Sequence, residues 1–257
     1  MAFLIFTPDR DKTRRDYSLV FKPEAEKFAR VHADLDCEIH EIDVSKNMAA
    51  RRRQTMGIVN ESGNIDGIAM FMHGWSRGIQ CGLRLQDVKA FAEAVADNTQ
   101  CGKYPEEKLE VILYCCLTAD APGGDKAQQK QSGPGGDGGF ADRVRDEFCK
   151  VGLPWIEVFA HTTKGHSTRN PYVRSFNGDG SPLGAVDGQW VVRPPAKGAP
   201  SPLWKAWRDA LWSKGAFERG TFRAGSFTCA RKDFRFHVPF MTTEELHSAL
   251  YDAQPGR

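Results

Sequence analysis

No stretch of this 257-residue chain reaches the roughly 18 consecutive apolar residues that a membrane span requires. Charge of one sign is also lacking. Lys and Arg number 35 and Asp and Glu 33, a net +2, which gives no bulk attraction to nucleic acid or to an anionic membrane surface. The seven cysteines (Cys37, Cys81, Cys101, Cys115, Cys116, Cys149 and Cys229) contain no C-x-x-C pair, are odd in number and are irregularly spaced. That pattern argues against a disulfide scaffold and a zinc ribbon, and for a reduced, cytoplasmic setting. The apolar start, Phe3-Leu4-Ile5-Phe6, has no basic segment before it and is too short for a signal-peptide core, so it reads as a first strand. A phosphate-binding G-x-x-x-x-G-K-[ST] loop and internal repeats are absent.

What is present is an ordinary globular balance, 40% hydrophobic and 26% charged, in a length that holds one large domain or two small ones. Apolar runs alternate with stretches of helical period. Residues 23–33 form a helix pattern through Ala25, Phe28 and Ala29, and Cys37 to Val44 alternates like an edge strand. Arg51-Arg52-Arg53 reads as the solvated face of a helix. Ile68 to Met72 and Val111 to Cys116 are unbroken apolar runs, the signature of strands buried on both faces. Between them Leu85, Val88, Phe91, Ala92 and Val95 mark a helix. Ala119 to Gly139 is rich in Gly, Asp, Gln and Lys and is expected to be a mobile loop, serving as a lid or a processing site. Phe140, Val144 and Phe148 restart a helix, Trp155 to Ala160 is a strand, and 165–188 reads as loop before a short strand at Gln189 to Val192. Further on come a helix carrying Trp204, Trp207, Leu211 and Trp212, a strand at Phe234 to Phe240 and a final helix from Thr242.

This alternation predicts an α/β three-layer sandwich, with a mostly parallel central sheet of about six strands and helices on both faces. Residues 1–165 form its core. Residues 166–257 are a C-terminal extension that completes the sheet and packs on that core, within one continuous domain.

In such sheets functional groups collect at the carboxyl ends of the strands. One strand runs into His73-Gly74 and the next apolar run into Cys115-Cys116, 43 residues after the histidine. If the two strands are parallel neighbours, about 4.8 Å apart, the two groups meet at one edge. An imidazole beside a thiol raises its thiolate fraction and makes it a nucleophile, and the Gly74 N–H is open to an oxyanion. Neighbours on a strand point to opposite faces, so at most one of Cys115 and Cys116 faces His73. Cys37 and His40 fall on opposite faces of their strand, which disfavours a metal site there. Gly74-Trp75-Ser76-Arg77-Gly78 matches the G-x-S-x-G elbow of serine hydrolases, with Ser76 as an alternative nucleophile, although no helix follows it directly.

The pattern resembles the caspase-like fold of cysteine peptidases, whose caspase members place the histidine about 50 residues before the cysteine. It is nearest to CHAT-type members. The histidine stretch, His73-Gly74-Trp75-Ser76-Arg77-Gly78 leading to Leu85, passes through a glycine-containing loop into a helix. The cysteine stretch of those members ends a hydrophobic strand as small residue, cysteine, polar residue, threonine; here it reads Cys115-Cys116-Leu117-Thr118, with Cys115 at the small-residue position and Cys116 at the cysteine. The helix from Phe140-Ala141 and the strand at Ile156 to Phe159 continue the likeness, which covers residues 1–165. The caspase string Gln-Ala-Cys is absent, and Tyr114 stands where some relatives with basic substrate preference carry an acidic residue. The resemblance implies a thiol peptidase acting on protein or peptide. His73 would be general base, Cys116 nucleophile and Gly74 oxyanion donor, with no metal or organic cofactor. His161 would lie at the same edge and contact substrate. A non-catalytic module of the same fold, binding a protein partner through its groove or through the Trp204, Trp207 and Trp212 helix, is the alternative.

Overall fold

Strands β1 (Ala2–Pro8) and β3 (Ile65–Phe71) are almost wholly buried, as unbroken apolar sequence requires of central parallel strands. The computed structural model describes residues 2–9, 21–32, 34–125, 135–164, 172–182 and 188–190, with residues 200 and 202. The expected tryptophan-bearing helix, the strand at 234–240 and the final helix lie outside the described residues.

The remaining elements are α1 (Phe21–Val31), β2 (Cys37–Ile42), α2 (Met48–Glu61), the hairpin β4 (Gly74–Trp75) and β5 (Gly78–Ile79), and α3 (Val88–Asp97) after a short 3-10 turn. They continue with β6 (Leu109–Tyr114), α4 (Phe140–Lys150), β7 (Ile156–His161), β8 (Val173–Asn177) and β9 (Gln189–Trp190). Seven strands form one sheet in the order β2-β1-β3-β6-β7-β8-β9. The first five of these are parallel, and β8 and β9 each run antiparallel to their neighbour. The chain therefore steps one way from β1 to β2 and the other way from β3 onward. Right-handed crossovers then place α1 on one face and α2, α3 and α4 on the other.

Packing agrees with that placement. Phe28 of α1 lies 5.6 Å from the Phe3 ring, 5.8 Å from Phe71 and 6.1 Å from Tyr114. Gly67 makes room for this layer, because a Cβ there would fall 2.2 Å from the Phe3 ring. The opposite core joins Leu4, Phe6, Met70, Leu113 and Val158 to Phe91, Phe140, Val144 and Phe148.

The structure amends three expectations. Helix α1 starts at Phe21, two residues early, since Pro23 is tolerated in a first turn. The stretch 165–188 contains a strand, β8, where loop was expected. Two of the three consecutive arginines, although partly exposed, also have structural partners. Arg51 donates to the carbonyls of Lys46 (2.8 Å), Gln80 (3.3 Å) and Val44. Arg52 pairs with buried Asp87. The Arg51–Gln80 bond and the Arg52–Asp87 pair hold the segment after the hairpin, which α2 also grips through Thr55, whose hydroxyl donates to the Cys81 carbonyl at 3.2 Å. Gly82, at φ +97°, has no room for a side chain, since a Cβ would sit 2.3 Å from the Met48 carbonyl oxygen.

Candidate active site

Strands β3 and β6 pair in parallel from Gly67–Glu110 to Phe71–Tyr114. The rings of that last pair stack at 4.3 Å. Both strands end at that pair, and His73 and Cys116 each lie two residues beyond it. Alternation along the strands assigns Phe71 and His73 to the α1 face and Met72 to the other. The His73 ring indeed meets Phe21 of α1 edge-on, at 4.9 Å between centroids.

The two adjacent cysteines separate cleanly. Cys115 is fully buried, belongs to the α3–α4 core, and its thiol donates to the Met70 carbonyl at 3.2 Å. Burial pushes the Cys115 thiol well above the ordinary thiol range. Cys81 and Cys149 are pushed up to about 11 by the same cause. These are inert, packed thiols. Cys116 instead stands half-buried at the first position of a turn, where the strand has ended.

That turn is sharp and firmly held. Leu117 adopts φ +60°, a left-handed conformation that costs a side-chain-bearing residue about 1–2 kcal/mol. Strain of this kind persists only where neighbours over-determine it. Here the Thr118 hydroxyl donates to the Cys115 carbonyl at 2.9 Å, and the Ala141 N–H at the start of α4 donates to the Thr118 carbonyl at 3.0 Å. The Ala119 N–H donates to the His161 carbonyl at 3.0 Å.

Gly74 lies against this turn. A Cβ on Gly74 would come within 2.7 Å of the Cys115 Cβ and 2.9 Å of the Cys116 carbonyl oxygen. The backbone that follows the histidine thus touches the backbone that carries the thiol. The His73 backbone is fixed by Gln80, whose side-chain oxygen accepts the His73 N–H at 3.2 Å and whose own N–H donates to the His73 carbonyl at 2.9 Å. His73 is exposed, so both groups reach solvent.

His161, the third candidate, closes β7 and is 1% exposed. Its ring stands 6.3 Å from Tyr114, beneath the Cys116 turn rather than on an open rim. Tyr114 is itself fully buried. Ser76 occupies the turn of the β4–β5 hairpin. No strand-to-helix elbow surrounds it, so the geometry that a serine nucleophile of that type needs is missing. Among the described residues no three His, Cys, Asp or Glu side chains converge as metal ligands, and no helix is long and apolar enough to cross a membrane.

Sequence reasoning missed the support behind the turn. The described parts of the expected mobile loop, 119–125 and 135–139, are tied down. Asp125 accepts the Gly136 N–H at 2.9 Å and pairs with Arg174 of β8, and Gly135 and Gly188 exchange backbone bonds of 3.0 and 2.8 Å. The apolar residues Tyr172, Val173 and Phe176 are a faint strand signal, but Arg174 between them masks it.

The molecule is thus an α/β chain with a mostly parallel sheet, whose adjacent β3 and β6 ends lead into an imidazole and a half-buried thiol. Compared with known proteins, the chain matches no protein-family model and no curated protein.

Proposed function

We propose that this chain is a cysteine peptidase of the caspase-like class, nearest to its CHAT-type members, acting in the cytoplasm on protein or peptide. Cys116 attacks a peptide carbonyl carbon while His73 takes the thiol proton. The tetrahedral oxyanion is received by the Gly74 N–H, the amine leaves with the proton from His73, and water then releases the acyl group from the sulfur. No cofactor enters this scheme. The observation that supports the reading is the parallel β3–β6 register, which ends at Phe71 and Tyr114, two residues short of His73 on one strand and of Cys116 on the other, while the Cys115 thiol turns into the core. A neutral strand-end cysteine needs neither a half-exposed position nor a strained, multiply bonded turn beside it.

The test is cleavage of an unfolded protein mixture, with the new amino termini identified by mass spectrometry. The wild-type chain is expected to generate a consistent set of cleavages that Cys116→Ala and His73→Ala each abolish and Cys115→Ala keeps. Cleavage that survives Cys116→Ala, or none by a folded wild-type chain and its processed forms, overturns the reading.

A further inference from the structure

The Cys116 turn is anchored from behind by a charge that stability alone does not explain. Arg174 is the largest fully buried side chain among the described residues. It enters the sheet on β8, opposite Ala160 of β7. One of its guanidinium nitrogens donates to the Ala119 carbonyl at 3.3 Å and also to the buried carboxylate of Asp125. Its guanidinium lies 4.7 Å from the centre of the Trp190 ring on β9. Ala119 is only three residues past the thiol, so it is held from β7 through its N–H and from β8 through its carbonyl.

The returning chain is fitted to the same pair. A Cβ on Gly135 would fall 2.8 Å from both terminal guanidinium nitrogens and from an Asp125 oxygen. A Cβ on Gly136 would fall 2.5 Å from the Ala119 carbonyl oxygen. Backbone without side chains is therefore packed directly on the ion pair and on the carbonyl it grips. Burying two charges costs several kcal/mol, and apolar replacements of similar volume are often as stable or more so. What apolar side chains cannot supply is a donor aimed at the Ala119 carbonyl.

We propose that Arg174, oriented by Asp125, is a positioning residue for the nucleophile: it locks the 116–119 turn so that the Cys116 thiol stays in register with His73. This rests on the His73–Cys116 reading, and it adds a second layer to that site drawn from the antiparallel part of the sheet.

The probe is iodoacetamide, with the alkylation rate of each cysteine followed by peptide mass spectrometry on the full chain. The double variant Arg174→Met with Asp125→Leu removes both charges together, so no lone buried charge remains. It is expected to melt cooperatively, yet to lose on the order of tenfold in Cys116 alkylation rate while half-buried Cys37 keeps its own. Arg174→Lys, which keeps a cation for Asp125 but not the fork, is expected to show a smaller loss. A folded double variant with the wild-type Cys116 rate overturns the proposal. If that variant does not fold, an unchanged rate in Arg174→Lys overturns it. His73→Ala is measured beside them. If it leaves the wild-type Cys116 rate intact, the parent reading fails and the positioning role falls with it, whereas a loss in His73→Ala with none in the Arg174 variants removes the positioning role alone.

Discussion

The loops that follow β3 and β6 solve the same problem by different means. Both must present one side chain at the carboxyl edge of the sheet. After β3 the chain folds at once into the β4–β5 hairpin, and His73 is fixed by backbone geometry and by the neutral side chain of Gln80. After β6 the chain takes a left-handed residue, Leu117, and is held by α4, by β7 and by a buried arginine on β8. The histidine side is thus local and self-contained, whereas the thiol side depends on residues up to 58 positions away, at Arg174. An imidazole on an exposed ring can adjust to its partner. A cysteine nucleophile has only one side-chain rotation to adjust with, so the turn that carries it is the part that needs long-range support.

The largest break in this comparison comes where the two loops touch. Gly74→Ala forces a methyl group against the Cys115 Cβ and the Cys116 carbonyl oxygen. We expect a loss of about 1–3 kcal/mol in urea unfolding, together with loss of activity, because either loop must move away from the other. Smaller in stability, and opposite in function, is the pair of cysteine variants. Cys115→Ala removes a buried thiol and its bond to Met70, and is expected to cost about 1–2 kcal/mol while activity is kept. Cys116→Ala is expected to leave stability within about 0.5 kcal/mol and to remove activity. Thermal melts and peptide cleavage, measured on both variants, separate the two roles.

A further contrast concerns how the thiol side responds to pH. Asp142, in the first turn of α4, accepts the Gly138 N–H at 2.9 Å and pairs with buried Arg145. Burial nevertheless outweighs those partners and pushes its carboxyl up to about 6. The folded chain then holds this proton more tightly than the unfolded chain does. Its contribution to stability is fully present below the ordinary carboxylate value and declines as pH rises, becoming constant above about 6. In urea unfolding at several pH values, the stability of wild type relative to Asp142→Asn should fall from pH 4 to pH 6 and then level. A difference that is flat across that window contradicts the assignment.

Legibility in the sequence followed the same division. The unbroken runs Ile68 to Met72 and Val111 to Cys116 announced buried parallel strands, and with them the edge where His73 and Cys116 stand. The choice of Cys116 over Cys115 rests on the family resemblance, which puts Cys115 at the small-residue position; strand alternation says only that at most one of the two faces His73, and the structure buries Cys115 in the core. The β4–β5 hairpin was hidden because two-residue strands have no period to read. Strand β8 was hidden because a charged residue within it, Arg174, looks solvated, and only the fold reveals its partner Asp125. Arg51 and Arg52 misled for the same reason: charge in a sequence does not disclose the carbonyls and carboxylates that tertiary structure brings to it.

The central claim is that His73 and Cys116 face each other across the β3–β6 edge, and its most direct test is a geometric trap. In His73→Cys, mild oxidation should join the introduced thiol to Cys116, since residues opposite each other on neighbouring strands lie within disulfide reach. Peptide mapping is expected to find that crosslink and none to Cys115. A crosslink to Cys115, or none while both thiols remain free to react with iodoacetamide, contradicts the account.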